Sequence, residues 1–158
     1  MKIIIVGGGK VGQATAKHLS SEGHDIVLVD KNYERIHHLS DKLDVMCIKG
    51  NGLRTSVLLA AGVEDADLII TATPSDEINM LCCLTAKHTI ARIRDPEYSE
   101  ELSTLRKEMG LDMVINPEEE AAAEIARVLR FPTAINVETF VDGKVEMVSF
   151  RIKEDGIL

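Results

Sequence analysis

Basic residues are in deficit in this chain of 158 residues: 18 lysines and arginines stand against 26 aspartates and glutamates, a formal net charge of −8. A general affinity for nucleic-acid backbone or anionic lipid needs clustered lysine and arginine, so neither partner is expected. Long apolar runs are missing too. None approaches the ~20 residues of a membrane span, and Met1 leads straight into a strand without a signal-peptide pattern, which gives a cytoplasmic location as the expectation. Cysteine is scarce: Cys47, Cys82 and Cys83 are an odd number without C-x-x-C or histidine spacing, so neither a disulfide framework nor a zinc site is indicated. All three read as small buried hydrophobes. What the chain does have is 45% hydrophobic residues, enough for the core of one main domain with an appendage.

The organising stretch is Met1 to Asp30. Ile3-Ile4-Ile5-Val6 reads as a strand apolar on both faces, and Gly7, Gly9 and Gly12 make G-x-G-x-x-G where it turns into a helix over about Val11 to Glu22. Gly7 allows the tight turn, Gly9 lets backbone approach a pyrophosphate, and Gly12 lets the helix pack on the strand. The free N–H groups and positive dipole end of that helix then face the phosphates. Glycines alone also fit a purely structural turn. A second apolar run, Ile26-Val27-Leu28-Val29, ends in Asp30, where a Rossmann unit places its ribose-binding carboxylate. That order of parts points to nucleotide binding. Asp30 suits a free 2′-hydroxyl, as in NAD(H) or an adenine nucleotide, and argues against NADP.

Tyr33 to Lys42 reads as a helix and Asp44 to Ile48 as the third strand. For Lys49-Gly50-Asn51-Gly52 a simple β-α turn and a loop closing over adenine both fit; its place at a strand's carboxyl edge favours the adenine contact. Leu53 to Ala61 is a short helix stopped by Gly62, and Leu68 to Thr71 is the fourth strand. Small residues after it let a ligand sit against backbone, and Asp76 is expected to cap a helix from Glu77 to about Lys87. Thr89 to Arg94 forms a fifth strand with Arg92 and Arg94 on one face, where phosphate contact, subunit contact and exposed edge charge are all open. Tyr98 to Met109 is a helix stopped by Gly110, and Met113 to Ile115 is the sixth strand. The count predicts an α/β fold, a Rossmann-like doubly wound parallel sheet of order 3-2-1-4-5-6 over residues 1–117.

Glu118 to Arg130 carries three acids in its first turn and arginines in its last, as a helix dipole favours, so a metal site there is unattractive. Its stripe of Ala121, Ala122, Ile125, Ala126 and Leu129 predicts a crossover helix, residues 118–132, packed between two subunits. Asp142-Gly143 predicts a type I′ hairpin pairing Val141 with Lys144, Val137 with Val148 and Ile135 with Phe150. The chain stops at Leu158 just after a strand with nothing to pack on it, and residues 133–158 read as the start of a truncated C-terminal domain.

Taken together, IIIVGGGKVG, HDIVLVDKN, IKGNG, ADLIITATPSDEINM, TIARIRDPEY and VINPEEEAAAEIARVL resemble the regulator of potassium conductance domains (RCK, also called KTN), and within them the Trk-type potassium-uptake regulators. The resemblance spans about Met1 to Leu129. It implies a nucleotide sensor that dimerises, assembles into rings under a membrane potassium channel or transporter, and responds to NAD(H) or ATP/ADP. Carried over by position, Gly7, Gly9, Lys10, Val11 and Gly12 hold phosphates, Asp30 and Lys31 the ribose, Asn51 and Gly52 the adenine, and Thr73 and Arg94 the remaining half. One departure is that the helix after D-E-x-N usually runs longer in the family, whereas here Thr85-Ala86-Lys87-His88 leads directly into Thr89.

The alternative is an NAD-dependent oxidoreductase. That reaction needs an acid or base beside the nicotinamide, at the carboxyl ends of strands 4 to 6. His18, His37 and His38 fall in helices, while His24 and His88 enter strands at their amino ends. Tyr98 reads as packing at the start of its helix. No catalytic residue is therefore assigned.

Overall fold

The computed structural model describes residues 1–106, 110–131, 134–140 and 145–151. Strand β1 (Lys2–Val6) sits at the centre because neither of its faces tolerates water: Ile3, Ile4, Ile5 and Val6 are all buried. Alternation sends them to two separate cores. Ile3 and Ile5 join Ile26, Leu28 and Ile70 under α1 (Lys10–Ser21) and α2 (Tyr33–Ser40), with Ala16, Ile36 and Leu39 as the helix contributions. Ile4 and Val6 join Val27, Val29, Ile69 and Ala91 on the other face, covered by α3 (Thr55–Ala60), α4 (Asp76–Cys83) and α5 (Pro96–Leu105) through Leu58, Cys82, Cys83 and Leu102.

The strands that complete the sheet are β2 (Asp25–Asp30), β3 (Met46–Lys49), β4 (Leu68–Thr71), β5 (Thr89–Arg92) and β6 (Met113–Ile115). Their order is β3-β2-β1-β4-β5-β6 with every pairing parallel, the expected doubly wound arrangement. The chain changes direction of winding at β1, which pairs Val6 with Val29 on one side and with Thr71 on the other. The exits of β1, β2 and β4 therefore meet at one edge, where open α/β sheets bind ligands.

By contacts the chain divides into Met1–Asn116 and Pro117–Leu158. The second unit holds α6 (Pro117–Arg130) and an antiparallel pair, β7 (Ala134–Phe140) and β8 (Val145–Phe150). Helix α6 buries no residue, and Ile125 and Leu129 are 61% and 72% exposed.

Several local expectations are corrected. Helix α4 ends at Cys83 rather than near Lys87, with only Leu84–His88 before β5. Its cap is Ser75, whose hydroxyl accepts the Ile78 N–H at 3.2 Å, and not Asp76. Val137 pairs with Val148 as expected, but an irregularity between Ala134 and Asn136 places Ala134, not Ile135, opposite Phe150. The Asp142-Gly143 turn and the Val141–Lys144 pair lie outside the described residues. Cys82 and Cys83 are buried, whereas Cys47 is only half-buried.

Candidate functional site

A cleft of about 350 Å3 opens where β1, β2 and β4 diverge. Gly7 begins it with φ +109°, and a Cβ there would sit 2.7 Å from the Ala72 carbonyl, so the turn admits only glycine. Gly12 is buried in the first turn of α1, where a Cβ would lie 1.8 Å from Gly7 O. Gly7 thus lets the turn lie against the exit of β4, and Gly12 lets α1 approach the turn after β1. Gly9 differs: it is the N-cap of α1, lines the cleft, and has nothing within 4 Å of an added Cβ. The open space beside it belongs to the cleft. Lys10 and Val11 open the helix behind Gly9 without lining the cleft.

The start of α1 carries no side-chain cap, a feature it shares with α3. Asn32 caps α2, Ser75 caps α4 and Asp95 caps α5 with their own side chains. Helix α1 has neither a capping side chain nor an acid in its first turn. Its first N–H groups and positive dipole end are left for an anion.

Asp30 is buried at the end of β2. Oδ2 accepts from Gly8 N–H at 2.7 Å and from the Arg35 guanidinium at 2.8 Å, while Oδ1 accepts from Asn32 N–H at 2.8 Å. Burial alone pushes this carboxyl up, but the Asn32 N–H, the Arg35 side chain and the Gly8 N–H together outweigh it and hold its pKa below the ordinary value. Asp30 therefore presents a fixed, ionised acceptor in the cleft. Lys31, Asn51, Gly52 and Thr73 line the same space. Asn51 fixes its own loop, its Oδ1 accepting Leu53 N–H at 3.0 Å. A Cβ on Gly52 would come within 2.4 Å of Val6 Cγ1.

Arg35 is among the lining residues that sequence reasoning missed, with Asn32 and Ile78. Its signal is local: Asn32 caps the helix by accepting Arg35 N–H at 2.9 Å, which sets α2 so that the Arg35 side chain turns back onto Asp30.

Thr73 is held from behind. Asn79, fully buried, accepts the Thr73 N–H at 2.9 Å and hydroxyl at 2.7 Å, and donates to Thr73 O at 3.1 Å and Arg92 O at 2.7 Å. The Arg92 guanidinium also reaches Thr73 O, at 3.4 Å.

Arg94 is not brought to this cleft. It lines an adjoining cavity of about 580 Å3 with Pro74, Ser75, Asp76, Glu77, Asp95, Pro96 and Tyr98. There its guanidinium donates to Pro74 O, and its backbone N–H, with that of Asp95, donates to Asp76 Oδ2 at 2.8 and 2.9 Å. Those two N–H groups explain why Asp76 is buried rather than capping. The Tyr98 hydroxyl reaches Glu77 Oε1 at 3.3 Å instead of only packing at its helix start. Among the described residues no cluster of His, Cys, Asp and Glu is arranged to hold a metal ion, and no helix is long and apolar enough to cross a membrane.

Residues 3–117 match the family model described as the TrkA-N domain. The chain belongs to the TrkA-N family. Over its whole length it is 38% identical to the Trk system potassium uptake protein trkA homolog 1 of Methanosarcina mazei, covering 41% of that protein in an alignment of 170 positions. It is likewise 38% identical to the Trk system potassium uptake protein TrkA of Vibrio alginolyticus, covering 36% of it. This TrkA-N chain thus spans about two fifths of the length of such relatives. The M. mazei alignment is also longer than the 158 residues of the chain, so that relative has residues this one lacks. Among solved structures, the GsuK channel bound to NAD is 25% identical with a TM-score of 0.67, covering 89% of this chain and 25% of that one. The NAD(P)-binding domain of an exopolyphosphatase-related protein from Archaeoglobus fulgidus matches in fold, with a TM-score of 0.68 at 19% identity over 81% of this chain and 96% of that one.

Proposed function

We propose that this TrkA-N domain is the nucleotide-binding part of a regulatory subunit of a potassium-uptake system, holding NAD(H) or ATP/ADP between β1, β2 and β4 without turning it over. The observation that carries this reading is the uncapped start of α1 facing a glycine-lined cleft, with the fixed Asp30 carboxylate on the same rim. The pyrophosphate takes the α1 N–H groups over Gly9, with Lys10, Val11 and Gly12 supplying them. The ribose takes Asp30 and Lys31, and the adenine takes Asn51 and Gly52. Thr73 and Arg94 serve the remaining half, Arg94 from the adjoining cavity. The names of the curated relatives and of the NAD-bound GsuK channel support the ligand class and the potassium-transport setting.

A sensor rather than an oxidoreductase fits the titrating groups at this edge. Proton transfer works best from a group whose pKa lies near the working pH. The Asp30 carboxyl is held low, Glu77 is lowered first by the Ser75 hydroxyl, and the neighbouring Glu77 charge pushes Tyr98 up. None is moved toward neutrality.

The regulatory partner in this reading is a membrane potassium transporter, met at the inner face of the cell membrane by a homodimer or larger ring. Support for the dimer is the apolar surface of α6, where Ile125, Val128 and Leu129 are all exposed. Burial against a second copy removes it from water, and Ile125→Glu is expected to shift the light-scattering mass from dimer to monomer. For the ligand, one-site linkage gives ~2.7 kcal/mol of added stability at a hundredfold excess over the dissociation constant. NAD+, NADH, ATP or ADP should therefore raise the melting temperature, and Asp30→Ala should abolish the rise. No response to any of the four at millimolar concentration refutes the assignment.

A further inference from the structure

Resting on that nucleotide reading, we infer that Arg35 sets how the site reads the sugar: by occupying one oxygen of Asp30 it leaves the carboxylate a single free acceptor position, so the protein recognises one hydroxyl of the ribose and not the 2′,3′ pair. The count is made on Asp30 itself. A carboxylate has two oxygens with about two in-plane acceptor positions each. Oδ2 accepts both the Gly8 N–H at 2.7 Å and the Arg35 Nη1 at 2.8 Å, and Oδ1 accepts the Asn32 N–H at 2.8 Å. What is left is one position on Oδ1.

None of the three donors gives way to a sugar. Gly8 donates from a turn packed so tightly that a Cβ there would stand 3.1 Å from Leu28 and from Leu39. Asn32 donates from the cap of α2, fixed by its own side chain. Arg35 is the counter-charge of a carboxylate whose side chain is only 5% exposed, and a neutral hydroxyl brings no charge to replace it. The guanidinium also lines the cleft, so it stands where a second hydroxyl has to arrive. That hydroxyl is left to water and to the exposed Lys31, contacts for which solvent competes.

The test is calorimetric titration of the whole chain with ADP, 2′-deoxy-ADP and 3′-deoxy-ADP. A hydrogen bond to a charged group is worth about tenfold or more in affinity. Wild type should therefore bind one deoxy analogue about tenfold more weakly than ADP and the other nearly as well as ADP. Arg35→Met frees the second position on Oδ2 and should make both analogues weaker than ADP by that factor; the Arg35 backbone N–H that Asn32 accepts is untouched by the substitution. Lys17→Met, an equal loss of charge at an exposed position of α1, should keep the wild-type pattern. Wild type weakened alike by both deletions overturns the inference whether or not the variant folds, and so does an Arg35→Met protein that still ignores one of them. Wild type indifferent to both removes the ribose from Asp30 and overturns it too, while ADP binding still upholds the phosphate end of the site. Failure of ADP to bind overturns the nucleotide reading, and this inference with it.

Discussion

Alanine at Gly12 and alanine at Gly9 should fail in opposite ways, because one glycine faces protein and the other faces the open cleft. At Gly12 the added Cβ falls 1.8 Å from Gly7 O, well inside the separation that real Cβ contacts show. Helix α1 must then move by more than an ångström from a turn that Gly7 cannot relax, since its own φ is +109°. Helix propensity opposes this, favouring alanine by about 1 kcal/mol. Overpacking of a close-packed contact costs about 1–3 kcal/mol and more where backbone is hit, so the clash wins and Gly12→Ala should lose about 2 kcal/mol. For a unit of this size that lowers the melting temperature by about 5–10 °C. At Gly9 the new Cβ meets nothing, and the loss of stability should stay within about 1 kcal/mol, the cost of a poorer N-cap. Binding should suffer instead, because the Cβ occupies the space where phosphate approaches backbone. Denaturant unfolding paired with ADP titration separates the two. If Gly9→Ala binds ADP as tightly as wild type, the phosphate does not lie over Gly9. If Gly12→Ala unfolds at or above the wild-type midpoint, the close approach of Gly12 to Gly7 is wrong.

Asn79→Ala deletes a fully buried amide that satisfies both polar groups of the Thr73 backbone and the Arg92 carbonyl, and should cost about 2–4 kcal/mol in denaturant unfolding; a loss below 1 kcal/mol would mean that water replaces it easily. Acid titration should show the Asp30 contribution. A carboxyl held low in the folded state adds stability above its ordinary pKa of 3.8 and loses it as pH falls through the folded value, so Asp30→Asn should flatten the stability profile in that acid range and leave its shape at neutral pH. Burial, with the adjacent Cys83, pushes the Cys82 thiol up to about 12, and burial also raises Cys83. Burial raises the Cys47 thiol too, so access decides: a thiol reagent at pH 8 should label half-buried Cys47 in the native chain and reach the other two only on unfolding.

Parts of this molecule are written locally and parts are not. A run of four β-branched residues followed by glycines can only be a central strand and a tight turn, and the order of six strands follows from parallel winding. Ser75 and Asp76 show the limit. Both are good helix caps, so neighbouring sequence cannot choose between them; the choice is made by the Arg94 and Asp95 N–H groups, which need an acceptor where β5 ends. The same contact draws Arg94 into the second cavity. Hairpin register fails for another reason: counting outward from a two-residue turn assumes an unbroken ladder, and an irregularity at Ala134–Asn136 displaces Ile135 from Phe150. Arg35 was legible in principle, since Asn32 is a helix cap and the first turn of such a helix lies over the preceding strand end.

The segment Thr73-Pro74-Ser75 is the wall common to both cavities, and its bonds are distributed unequally. On the inner side Asn79 ties Thr73 to α4 and to the end of β5, in a site without water access and with every polar group of the amide used. On the outer side Pro74 O is held by Arg94, whose side chain is nearly half exposed. A hydrogen bond from a half-exposed side chain competes with water, whereas a buried amide network is costly to break. A ligand pressing on this wall therefore shifts the Arg94 side before it shifts Thr73. That places the softer response beside Asp76, Asp95 and the start of α5.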